Sequence, residues 1–172
     1  MLRLLKLVLI AVAAFLLLKE FAGETVYIAT GSMETTLPTG SRFFLDKLVY
    51  RFREPRRGEI VSFSSPVGGP NAVKRIIAVG GDRVELKDKK VYLNGKPLYE
   101  PYVQYTRPNE KLAGDTMPET EVPAGMYFVM GDNRDTSFDS ATWRDPKTGE
   151  RIIFLKRGMI EGKIRGAYRK WE

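Results

Sequence analysis

The sequence predicts a mostly β domain with a β-rich insertion, preceded by a single apolar N-terminal helix. Three observations lead there. An unbroken apolar run is confined to the start of the 172-residue chain, short runs rich in branched and aromatic residues follow it, and Gly, Pro or Asn bounds most of those runs. The expected boundaries are an anchor over residues 1–22 and a β domain over 23–172, with the insertion at about 82–125.

The N-terminus reads Met1-Leu-Arg-Leu-Leu-Lys into an apolar run from Leu7 to Leu18, then Lys19 and Glu20. A bilayer core asks for about 20 residues, and Leu4 to Phe21 comes close if Lys6 and Lys19 extend toward the interfaces. A cleavable targeting segment fits the basic start and the length of the run. No small-x-small cleavage pattern follows it, however, since Lys19-Glu20-Phe21 is bulky and charged. A retained membrane anchor and a buried core helix are the other readings of the run. Arg3 and Lys6 precede it, whereas Lys19 is offset by Glu20 and Glu24, so an anchor would keep its N-terminus in the cytoplasm and the rest outside.

Thr25–Thr30 (TVYIAT) reads as the first strand and runs into Gly31-Ser32-Met33. A glycine beside a serine permits a tight bend and leaves the hydroxyl open, which is how a nucleophile is displayed; it is also how an ordinary turn looks. Composition narrows the chemistry. There is no histidine and no cysteine, which excludes Ser-His-Asp triads, Cys-His pairs, histidine metal sites and disulfides. A catalytic Ser32 would need a lysine or a carboxylate as its base. A net charge of +7 points to an anionic neighbour, lipid or nucleic acid. No nucleic-acid-binding pattern accompanies the charge, so a lipid bilayer is the expected partner.

Arg42–Tyr50 (RFFLDKLVY) is the second predicted strand and Glu59–Ser64 (EIVSFS) the third, joined by the basic stretch Arg51 to Gly58. That stretch is a solvated turn or a headgroup contact. Asn71–Val79 (NAVKRIIAV) is an apolar strand broken by two cations. Alternation sends Lys74 and Arg75 to opposite faces, so one of them is turned toward the apolar side. A desolvated lysine can lose about 3 units of pKa, enough to become a general base near neutral pH; a strand-edge lysine in water would not.

Beyond Gly80-Gly81-Asp82, Arg83–Leu86 and Lys90–Asn94 read as short strands, and the proline-rich segment up to Pro123 as a long loop. Met126–Asp139 is an apolar strand entering Gly131-Asp-Asn-Arg-Asp-Thr-Ser-Phe-Asp139. A calcium loop starting at Asp135 would need glycine at 140 and glutamate at 146, where Ser140 and Pro146 stand, so a hydrogen-bonded turn is expected and no metal. Met159–Trp171 reads as a closing strand pair around Gly162 and Gly166.

Taken in order after an apolar start, Gly31-Ser32-Met33, Val73-Lys74-Arg75 with Gly80-Gly81-Asp82, and Gly131-Asp132-Asn133-Arg134-Asp135-x-Ser137-x-Asp139-Ser140 resemble the type I signal peptidases of bacteria. The resemblance covers nearly the whole chain. It implies a signal-peptidase-like β fold and a Ser/Lys serine protease that removes signal peptides at the outer face of the cytoplasmic membrane, as a single-pass protein without a cofactor. It further implies Ser32 as nucleophile, Lys74 as general base, and the Thr30 hydroxyl with the Ser32 amide as oxyanion hole. Ser137 would hydrogen-bond the Lys74 amine, Asp132 would pair with Arg75, and Asp139 would steady the same loop. Ile28, Met33 and Val73 would line shallow pockets that admit small side chains, giving an Ala-x-Ala preference for a substrate bound as an added strand. A monomer is expected.

The chain departs from the family at Thr35, where proline is usual, and at Ala141, where arginine is usual and would pair with Asp139; Arg144 is a candidate substitute. These departures leave two client ranges open, a general signal peptidase or a dedicated processing peptidase for a narrow client such as a conjugation pilin-like protein. Two other classes are weighed against both. A catalytically dead binding module would keep Lys74 titrating like a free lysine, and a self-cleaving repressor would need a DNA-binding region ahead of the β domain.

Overall fold

The computed structural model describes residues 3, 5–12 and 24–168. Residues 5–12 form a helix, α1. Among the described residues no helix is long and apolar enough to cross a membrane, and the rest of the predicted anchor lies outside them.

Among the described residues eleven strands follow: β1 Glu24–Tyr27, β2 Arg42–Asp46, β3 Ile60–Phe63, β4 Ala72–Val79, β5 Arg83–Lys87, β6 Lys90–Leu93, β7 Lys96–Pro97, β8 Met117–Glu121, β9 Met126–Met130, β10 Leu155–Lys156 and β11 Ile160–Tyr168. One sheet runs β1-β2-β11-β3-β4-β9-β10 and the other β7-β6-β5-β8. All strand pairs among the described residues are antiparallel, and tight turns join β5 to β6 and β6 to β7. The mostly β expectation holds.

Three local expectations are corrected. The first strand stops at Tyr27 rather than Thr30; beyond it, bonds from Ile28 N–H to Ser41 O and from Gly40 N–H to Ile28 O carry the chain into the turn that holds Ser32. The second stops at Asp46 instead of Tyr50. The Asp46 carboxylate accepts the N–H groups of Leu48 and Val49, which starts the one-turn helix α2, Val49–Phe52. Finally, Ile160–Tyr168 is one strand rather than a pair. Its register shifts at Ile160/Gly162 and Arg165/Ala167 absorb what read as turn glycines. A Cβ on Gly162 would meet the Asp46 carbonyl and the Leu45 side chain, so this glycine marks a close strand approach.

Alternation along these strands feeds three apolar clusters. Val61, Phe63, Ile76, Val129, Leu155 and Trp143 fill the main sheet's core, with Phe63 and Trp143 edge to face at 5.7 Å. Val84, Leu86, Val91 and Met117 of the smaller sheet pack on Ile77, Phe128 and Met130 of the larger one. Ile28, Met33, Leu37, Phe43, Leu45 and Ile164 form the third cluster, which seats the turn carrying Ser32.

Candidate active site

Ser32 sits in a single 3-10 turn, Gly31–Met33, closed by Glu34 N–H to Gly31 O at 3.2 Å and Leu37 N–H to Met33 O at 2.8 Å. Met33 is sunk in the third cluster and works as the turn's anchor, so the neighbouring serine is held by packing rather than by a long element. A side chain at Gly31 would crowd the Glu34 carboxyl. The Glu34–Thr35 peptide bond is cis.

Lys74 lies on β4 opposite Val61 of β3, is 4% exposed, and its Nζ is hydrogen-bonded to Ser32 Oγ at 2.6 Å. Burial pulls the amine down from its ordinary 10.5 to about 8, against the opposite pull of the Asp139 and Asp132 carboxylates. Of the two readings left open for this lysine, the buried one is realised. Arg75, on the other face of the same strand, donates to Asp132 at 2.8 and 2.6 Å, and its guanidinium lies 3.9 Å from the centre of the Tyr102 ring.

The loop after β9 closes over both residues. Asn133 N–H donates to Ser32 O at 3.1 Å, so the loop is tied directly to the serine's backbone. Gly131 N–H donates to Asp139 Oδ2 at 3.0 Å and to Ser137 Oγ at 3.1 Å, while Ala141 N–H donates to Asp139 Oδ1 at 3.0 Å. Asp132, Asp135 and Asp139 thus serve different partners: Arg75, Lys89 at 2.5 Å, and backbone N–H groups.

Two expected contacts are absent among the described residues. Ser137 makes no hydrogen bond to Lys74; its oxygen is taken up by the Gly131 N–H. Arg144 does not pair with Asp139 either. It donates to Gly149 O at 3.1 Å, and Asp139, lacking an ion-pair partner, is satisfied by backbone donors. Thr30 Oγ1 lies 3.3 Å from Ser32 Oγ.

A groove of about 630 Å³ opens from Ser32 and Lys74 between β1 and the start of β4. Ile28, Met33 and Val73 are among its lining residues, with Ile28 and Met33 nearly buried, so they form its floor. Phe138, Trp143, Ser62 and Glu161 also line it and were not singled out from the sequence. Ser62 was detectable as the polar member of the apolar strand β3; Trp143 lies in a stretch that reads as polar loop. Thr36 was missed too, and its hydroxyl donates to Asp132 at 2.5 Å. A buried amine of lowered basicity touching a hydroxyl at the head of an open groove can take a proton from that hydroxyl and deliver it to a leaving group.

A family model described as signal peptidase, peptidase S26, matches residues 1–169. The chain is similar to Signal peptidase I of Bacillus licheniformis, 41% identical over 140 residues that span 78% of this chain and 75% of the relative. It is also similar to Signal peptidase I T of Bacillus subtilis (strain 168), 39% identical over 153 residues spanning 86% of this chain and 79% of the relative. Among solved structures, a signal peptidase I from Enterococcus faecalis V583 superposes with a TM-score of 0.50 at 31% identity, over 66% of this chain and 98% of that one. The Ser–Lys contact at the head of the groove and these likenesses agree, and the chain belongs to the signal peptidases of peptidase family S26.

Proposed function

We propose that this serine endopeptidase, which removes signal peptides from exported proteins, cuts with Ser32 as nucleophile and Lys74 as general base. The observation that carries the assignment is the 2.6 Å contact between the Ser32 hydroxyl and an amine whose pKa has fallen to about 8. Neutral Lys74 takes the serine proton as Oγ bonds to the scissile carbonyl carbon, and the oxyanion is met by the Ser32 N–H and the Thr30 hydroxyl. Collapse breaks the C–N bond, and the lysine proton goes to the departing amine. Lys74 then takes a proton from water as the water oxygen attacks the ester carbon, and returns it to Ser32 Oγ as the C–O bond breaks. Arg75, Asp132, Asp139 and Ser137 keep the surrounding loop in place.

The substrate lies in the groove as an added strand, and the shallow floor of Ile28, Met33 and Val73 favours small side chains, hence cleavage after Ala-x-Ala. The enzyme is held to the outer face of a bacterial cytoplasmic membrane by its N-terminal segment. Support comes from α1, where Leu5, Leu7, Val8, Leu9, Ile10 and Val12 are 49–65% exposed, an apolar surface that no part of the described chain covers. The test is cleavage of an Ala-x-Ala precursor in detergent by the wild type, Ser32→Ala and Lys74→Ala. Both variants should lose about 10⁴-fold or more in kcat while keeping their near-ultraviolet circular dichroism. Cleavage by Lys74→Ala at the wild-type rate would remove the lysine from the mechanism.

A further inference from the structure

The groove carries a second chemical feature besides the dyad. Glu161 lies on β11, where Ile160 pairs with Phe63 and Gly162 with Ser62, so β11 spends two residues where β3 advances one. Glu161 is the extra residue of that bulge, a device that re-aims a side chain, and its carboxylate lines the groove. Three neutral donors hold it there: Asn71 Nδ2 at 2.7 Å, Ser62 Oγ at 3.2 Å and Ser64 Oγ at 3.3 Å.

No lysine or arginine of the described residues lies within ion-pairing distance of it, although Lys47 is close enough to feel its charge. The other carboxylate lining the groove, Glu24, is different, because Lys47 pairs with it at 2.6 Å. A carboxylate held by neutral donors rather than by a cation, in a cleft bounded by apolar walls, is a site that attracts a cation entering the cleft.

We infer that Glu161 is a specificity determinant: it favours substrates with a lysine or arginine side chain in the segment preceding the cleaved bond. The inference rests on the reading of the groove as the seat of the signal peptide. A long cationic side chain on the added strand reaches the carboxylate by its flexible stem, while its backbone stays paired along the groove.

The test is a set of precursor-derived peptides with Lys or Met placed in turn at each residue of the segment before the cleaved bond, assayed with wild type, Glu161→Gln and Glu161→Lys. At one position or at two alternate ones, the wild type should show a Lys-over-Met ratio in kcat/KM of about fivefold, the size of a modest ion pair. Glu161→Gln should bring that ratio to about one and Glu161→Lys should invert it. The wild-type preference should also fade at high salt, a readout that needs no variant to fold. A ratio near one everywhere in the wild type, the same ratio in Glu161→Gln, or a preference unmoved by salt overturns the inference. If cleavage stays dependent on Ser32 in any of those cases, the reading of the groove survives; if the Met peptides are not cut, or are cut equally by Ser32→Ala, both fall.

Discussion

Burying an amine makes Lys74 useful at a cost in stability, and the two effects depend on pH in a linked way. Its pKa is about 8 in the folded protein against an ordinary 10.5, so the unfolded chain holds the proton more tightly than the folded one. The destabilisation, about 3 kcal/mol, is therefore fully present below pH 8 and fades as the pH climbs to 10.5. Lys74→Met should be inactive yet more stable than wild type at pH 7, by about 1–3 kcal/mol, with the gap closing above pH 8; urea titrations of both proteins at several pH values measure it. Over the same range, wild-type kcat/KM should rise with pH and level off above about 8, as the amine becomes neutral. Arg75, one residue on, is driven the other way, because the Asp132 carboxylate outweighs its burial and raises its pKa. Sequence alternation places one of these two cations on the apolar side. Which one is decided by what the fold brings to each face of β4, the Ser32 hydroxyl to Lys74 and the Asp132 carboxylate to Arg75, and no local pattern contains that information.

Elements act here mainly through the loop that follows β9. Gly131 is its tightest point: a Cβ there would collide with the Ser32 carbonyl and the Ser137 side chain. Gly131→Ala should push the loop off the serine, loosen the Asn133 bond to Ser32, lower kcat at least tenfold and cost about 1–3 kcal/mol in stability. Gly158→Ala, where an added methyl meets nothing within 4 Å, is the control and should change stability by less than about 0.5 kcal/mol. Precursor cleavage and urea denaturation of the two variants separate a specific clash from a general glycine effect. At this scale the strands were largely legible as branched and aromatic runs. Their ends were less so, because Asp46 stops β2 through its own side chain and the β11 bulges absorb glycines that look like turns.

At the scale of the molecule, the two sheets of the described residues are joined by an apolar cluster and by buried ion pairs. Lys89, in the β5–β6 turn, bonds Asp135 at 2.5 Å, and Arg134 meets Glu100, so the smaller sheet and the segment after it grip the loop over the dyad. Burial opposes the Asp135 charge, but Lys89 and the Arg107 N–H outweigh it and hold its pKa below the ordinary 3.8. Lys89→Met should strand that carboxylate and destabilise the fold by about 1–3 kcal/mol at pH 7. The deficit should shrink as the pH falls below 3.8 and the carboxylate protonates, which acid-to-neutral denaturation series would follow. The sequence by itself determined the menu of chemistry. Without histidine or cysteine a catalytic serine needs a lysine or carboxylate, and a strand such as NAVKRIIAV can strip a lysine of water. It also determined the β character of the domain, because a period of two is a local property of neighbouring residues. Only the tertiary structure decided which groups meet: Ser32 with Lys74 across 42 positions, Ser137 with a backbone amide rather than the lysine, Asp139 without an arginine, and Glu161 in the groove. Those contacts depend on strand order, register and bulges. These are set by burial summed over the whole sheet and leave no trace in any single stretch of chain.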